Sequence, residues 1–130
     1  MILAGDIGGT NARLALFDVR NGQFNLVTAT IFPSRNYSGL DEIVSEFVQT
    51  SGAHPAKACF GVAGPVTNGE VETSNLPWKI QARRLADELK IDNALLINDL
   101  EATGWGVGAL SASDLVALKQ ITGVAGNQAL

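Results

Sequence analysis

One cysteine, one histidine and a shortage of positive charge set the first limits on this chain of 130 residues. A lone cysteine, Cys59, cannot form an internal disulfide, which suits a reducing compartment. Within the apolar run KACFGVAG it reads as a small buried hydrophobe. One histidine and one cysteine cannot assemble a zinc site of the His/Cys type, and His54, in a polar loop beside Pro55, reads as a surface residue. Nine basic against thirteen acidic side chains leave a formal net charge of −4, whereas grip on a phosphate backbone needs a clustered cationic face. The densest basic spot, Arg83-Arg84, is followed by Asp87 and Glu88 and reads as a solvated helix face, so no nucleic-acid partner is expected. No apolar run approaches the ~20 residues of a membrane span. The N-terminus shows neither a basic n-region nor a small-residue cleavage site. The expectation is a cytoplasmic protein with no membrane partner.

What is present describes an ordinary globular chain, 46% hydrophobic and 17% charged, with material for about one domain. ILAGD (2–6), ARLALFD (12–18) and QFNLVTATIF (23–32) read as three strands, the last two joined by an Asn21-Gly22 turn. Together they predict an antiparallel meander, broken at Pro33, Ser34 and Asn36. Ser38 looks like the N-cap of a helix carrying Leu40, Ile43, Val44, Phe47 and Val48, which ends at Ser51-Gly52. KACFGVAG (57–64) predicts a buried strand, VTNGEVET (66–73) a small hairpin, and Ile80 to Leu89 a helix. ALLI (94–97) reads as another strand, with a helix from Asn98-Asp99 to about Val107 and a further cap at SASDLVAL (111–118). Strands that meander and then alternate with helices predict an α/β mixed sheet with helices on its faces.

Three stretches carry candidate chemistry, each with a plain structural alternative. In GDIGGTNARLAL (5–16), Asp6 stands at the carboxyl end of a strand, where α/β sheets form ligand crevices. Gly8 and Gly9 would let backbone N–H groups converge on an anion, with the Thr10 hydroxyl beside them, and Asp6 could hold Mg²⁺ against the same phosphates. A tight hairpin with Gly-Gly at positive φ accounts for the stretch as well. Neither the P-loop nor the GxGxxG pattern is present. In LINDLEATGWG (96–106), Asp99 could accept the proton of an attacking hydroxyl. Here the alternative is Asn98 as an N-cap with Glu101 three residues on. GVAGPVTNGEVETSNLPW (61–78) offers Gly64-Pro65 near a ligand and Asn75 as a polyol contact. It reads equally as two turns with Trp78 as a core anchor and Pro77 opening a helix.

In chain order, the three segments resemble the bacterial glucokinase family of the sugar kinase/actin/heat-shock ATPase superfamily, from Met1 to about Leu118. The resemblance implies a ribonuclease H-like mixed sheet, a three-strand antiparallel meander plus parallel strands. It also implies ATP-dependent phosphorylation of glucose at its 6-hydroxyl. Asp99 would be the catalytic base and Asn98 a sugar contact, with Asn75, Gly64 and Pro65 lining the sugar side. Gly8, Gly9, Thr10 and Asn11 would form the first phosphate loop for ATP, and Asp6 would position Mg²⁺. Enzymes of this family are much longer and close two lobes around their substrates. Residues 1–118 are therefore expected to be the N-terminal small lobe, and 119–130 a junction toward a C-terminal lobe.

Such a lobe alone should turn over little, and its uncovered surface should favour self-association, a homodimer among the outcomes. Kinases for another hexose or an amino sugar share the pattern. So does a non-catalytic sugar-sensing module, although Met1 directly before the first strand leaves no room for the DNA-binding segment of the superfamily's repressors.

Overall fold

The computed structural model describes residues 1–110 and 112–114. Strands Ile2–Ile7 (β1), Asn11–Arg20 (β2) and Gln23–Pro33 (β3) form the expected antiparallel meander. Asn21 (φ 53°) and Gly22 (φ 76°) make the turn between β2 and β3, the left-handed pair that matches strand twist. Lys57–Val62 (β4) and Ala94–Asn98 (β7) add parallel strands beside β1, giving a five-stranded sheet of order β3-β2-β1-β4-β7.

Alternation along each strand sends one set of side chains to a closed face. Leu3 pairs with Leu16 and Ala58, Ile7 with Ala12 and Val62, and Phe60 with Leu96. All eight belong to the buried core. Helix Leu40–Ser51 (α1) covers them with Leu40, Ile43, Val44 and Phe47, and helix Ala82–Leu89 (α2) with Leu85, Ala86 and Leu89. Spacing of three and four residues aligns each set on one helix face.

The opposite face carries helix Asp99–Val107 (α3), which buries no residue of its own. Beyond it Leu26, Ile31 and Leu95 stay 61, 61 and 54% exposed. Cys59 lies on this face between Ala4 and Leu95 and is half-buried, not enclosed as expected. Burial, and then the nearby Glu101 charge, push its thiol pKa up, which keeps the nucleophilic thiolate scarce.

Three local expectations change. Ser38 is not the cap of α1: Gly39 holds that position, while the Ser38 N–H and hydroxyl both donate to Glu42 Oε2 at 2.8 and 3.0 Å. The helix expected from Ile80 starts at Ala82, because Lys79–Gln81 (β6) pairs with Glu70–Glu72 (β5) in a separate two-stranded sheet. Ile80 faces Val71 there, both buried, and that contact overrides helix propensity. Pro77 therefore precedes a strand and opens no helix. Of the stretch 111–118, where a further cap was expected, the described residues form a 3-10 turn at Ala112–Asp114. The remainder, with the junction at 119–130, lies outside the described residues.

Gly61 sets the height of α3. A Cβ there would stand 3.0 Å from Ala102 Cβ and 3.9 Å from Asp99 Cα, so only a bare backbone lets the helix lie against β4. Replacing Gly61 with Val should destabilise the fold by about 1–3 kcal/mol through overpacking and lift α3 from the sheet. Urea unfolding measures the first effect and amide exchange in α3 the second.

Candidate functional site

β1, β4 and β7 run parallel, and Ile7, Val62 and Asn98 pair in one row at their carboxyl ends. The turn 8–11, the segment from Ala63 and the start of α3 leave from this single edge, the place where open α/β sheets bind ligands. Asp6 and Asp99, each at the end of an apolar strand, are expected at one edge, and the register places them there. Asp6 pairs with Gly61, and the missing Gly61 side chain points at Ala102 and Asp99. Neighbouring strands are about 4.8 Å apart, so the Asp6 side chain shares a face with the first turn of α3.

The turn after β1 is not a hairpin with glycines in the left-handed region. Neither Gly8 nor Gly9 has positive φ. Glycine is needed there for closeness: a Cβ on Gly9 would stand 2.8 Å from Asn75 Cβ. Asn75 and Gly9 thus meet. The Gly8 N–H donates to Asn11 O at 3.0 Å and closes the turn, so it is not available to an anion. Among the described residues the N–H groups of Gly9 and Thr10 have no partner, and these two can receive one. Thr10 is exposed.

Asp6 is exposed and pairs with Arg13, its cross-strand neighbour, at 3.2 Å. Arg13 stands inside the GDIGGTNARLAL stretch but gains a role only once β2 folds back on β1. No group of three or more His, Cys, Asp or Glu side chains that could hold a metal occurs among the described residues. The single exposed carboxylate still fits Mg²⁺, which keeps most of its waters and takes one or two carboxylates plus substrate phosphates.

Asn98 does two jobs. Its Oδ1 accepts the Leu100 N–H at 2.9 Å, capping α3, and its Nδ2 donates to Gly64 O at 2.8 Å. The cap is therefore real, but Glu101 does not complete a capping box; no bond from it back to Asn98 forms among the described residues. Asp99, the first residue of α3, is half-buried, and its Oδ1 also accepts the Leu100 N–H at 2.9 Å. Gly64, at φ 141°, packs against Val71 and Glu72. Pro65 falls outside this grouping, in an open depression with Asn68 and Glu72.

A cavity at this edge, between Gly9 and Asn75, holds about 10 Å³, room for one water. A larger depression of about 810 Å³ lies elsewhere, between Asn68 and α2.

A family model described as Glucokinase matches residues 3–130. The chain belongs to the glucokinase family. It is 39% identical over 122 residues to a glucokinase of Trichormus variabilis, covering 92% of this chain and 36% of that one. Against the glucokinase of Chromohalobacter salexigens it is 38% identical over 117 residues, covering 89% and 36%. Among solved structures, a glucokinase from an Antarctic psychrotroph matches with a TM-score of 0.78 at 30% identity, over 86% of this chain and 36% of that chain. The Leishmania braziliensis glucokinase matches at 0.62 and 25% identity, over 81% and 31%. The chain spans about a third of the length of the curated relatives it matches. Its sheet is the ribonuclease H-like mixed sheet that the sequence resemblance implied.

In this glucokinase-family chain, Asn98 is the bond between the helix that carries Asp99 and the loop that carries Gly64. Asn98→Ala should cost about 1–3 kcal/mol, since it removes a cap and leaves a part-buried carbonyl without its donor. Asn98→Asp should keep the cap and recover only part of that loss. Chemical denaturation of the three proteins checks the order.

Proposed function

We propose that the full-length protein is an ATP-dependent glucokinase and that residues 1–118 are its N-terminal lobe, with 119–130 leading toward a second lobe. Family membership supports the reaction class. The observation that carries the assignment of roles is the shared edge on which Asp6, the 8–11 turn and the Asn98-Asp99 helix start stand side by side.

Glucose lies against Asn98, Asn75 and the Gly64 backbone in this reading. Its 6-hydroxyl oxygen forms a bond to the γ-phosphorus of ATP while the bond to the ADP oxygen breaks, and the hydroxyl proton passes to the Asp99 carboxylate. Phosphoryl transfer needs mainly positioning and charge stabilisation, so a single base is sufficient. The free N–H groups of Gly9 and Thr10, with the Thr10 hydroxyl and Asn11, hold phosphate oxygens. Asp6 would hold Mg²⁺, which when bound neutralises charge on the terminal phosphates. A lobe by itself offers half a cleft and neither excludes water nor assembles this geometry, so the isolated chain should turn over little. ATP and glucose are the proposed partners.

Asp99→Asn tests the role of the base. The amide oxygen can still accept the Leu100 N–H, so the helix start is retained. In the full-length protein kcat should fall about 10²–10⁴-fold, with glucose affinity kept, in a coupled assay of ADP release with glucose as acceptor. A variant turning over within a factor of a few of wild type removes Asp99 from the mechanism.

A further inference from the structure

Ser34 is the one polar side chain buried outright among the described residues, with 0% of its surface exposed. A buried hydroxyl is costly unless it is bonded, and both of the donors of Ser34 go to the same short segment. Its Oγ–H donates to Gly8 O at 2.8 Å, and its N–H donates to Thr10 O at 2.9 Å. These are the carbonyls on either side of Gly9. Ser34 itself is anchored: its carbonyl accepts the Tyr37 N–H at 3.2 Å, and Tyr37 O accepts the Trp78 Nε1–H at 3.2 Å. Trp78 is a core residue, 3% exposed. The turn is therefore tied through Ser34 to the core, 26 residues along the chain from Gly8.

Orientation follows from peptide geometry. The chain has no cis peptide bond, and in a trans peptide the C=O of one residue and the N–H of the next point in opposite directions. Holding Gly8 O on the buried Ser34 hydroxyl turns the Gly9 N–H away from the interior. Asn75, pressed against the missing Gly9 side chain, flanks the turn at the same residue.

We propose that Ser34 is a positioning residue for the phosphate-binding turn. Its hydroxyl fixes the Gly8–Gly9 peptide so that the Gly9 N–H faces the crevice, ready for a phosphate oxygen. The proposal rests on the reading of residues 8–11 as the nucleotide turn given above. Ser34 touches no substrate; it acts through the backbone it holds.

The experiment uses Ser34→Ala in the full-length protein, with Ile43→Val, a core change in α1, as a destabilised control. In the ligand-free Ser34→Ala protein, amide exchange at Gly8, whose N–H closes the turn on Asn11 O, should accelerate about tenfold, while Ala4 and Leu14 in the β1–β2 ladder keep their rates. The Kd for Mg·ATP by calorimetry, and KM for ATP, should rise about tenfold, the scale of one lost hydrogen bond. Glucose affinity and kcat should stay near wild type. Ile43→Val should lower the unfolding midpoint without moving either readout. Unchanged exchange at Gly8, or a rise in Kd matched by Ile43→Val, overturns the proposal. Exchange that depends on Ser34 in a wild-type protein that binds no Mg·ATP overturns the nucleotide reading, and the proposal with it.

Discussion

Parallel pairing of β4 between β1 and β7 is the constraint on which the site depends. It brings three carboxyl ends to one edge, and alternation decides what each residue there can do. Ile7, Val62 and Asn98 form one row; Asp6, Gly61 and Ile97 form the row before it, on the opposite face. A slip of one residue would exchange the two sets. The Asp6 carboxylate would then enter the closed face, where Leu3, Ile7, Phe60 and Val62 are at most 2% exposed. Burying an unpaired charge there costs more than a core of this size can offset. The apolar pattern that folds the chain therefore also fixes Asp6 on the side of α3.

The site is made as much by missing side chains as by those present. Gly61 lets α3 approach β4, and Gly9 lets Asn75 approach the turn. Close approach of backbone is the common demand, with neither glycine at positive φ. α3 itself buries no residue, so its place on the sheet rests on Gly61 beneath it, the Asn98 cap and the Asn98–Gly64 bond. A helix with few buried apolar contacts belongs to the less stable part of a fold. The proposed base thus stands on the most lightly attached helix, at its one firmly tied end.

Local pattern made the meander, α1 and the strand before Asn98 readable. Leu40, Ile43, Val44 and Phe47 show one helical face, and Asn21-Gly22 names its turn type directly. The candidate residues Asp6, Asn98 and Asp99 were legible because each ends an apolar strand, and Asn98 as a cap because Asn suits that position. What escaped depends on partners far along the chain. Ile80 reads as helical until Val71 is opposite it. Arg13 gains its meaning only when β2 lies across from Asp6. Ser34 reads as a break after β3, since nothing within a few residues reveals that its hydroxyl meets Gly8. The positive-φ alternative for Gly-Gly fails for the same reason: the need for glycine at Gly9 comes from Asn75, far away in sequence, and not from the torsions of the turn.

Rigid and loose parts of this edge divide by the kind of bond. The turn is held by buried neutral hydrogen bonds to Ser34, whose loss would leave a carbonyl or hydroxyl without water to replace it. Asp6 and Arg13 are held by an ion pair whose side chains are 65 and 63% exposed. Such a pair is worth only about 0.2–1 kcal/mol and weakens with salt. Separating it therefore costs little, while shifting the turn costs more. Meanwhile the pair keeps the negative charge of Asp6 partly neutralised beside the N–H groups of Gly9 and Thr10. In the proposed function, a hydrated cation arriving with phosphate would have an inexpensive ion pair to displace and a backbone cradle already in shape. The division would suit the proposed binding and release of a charged ligand: neutral bonds keep the geometry, and exposed charges exchange partners.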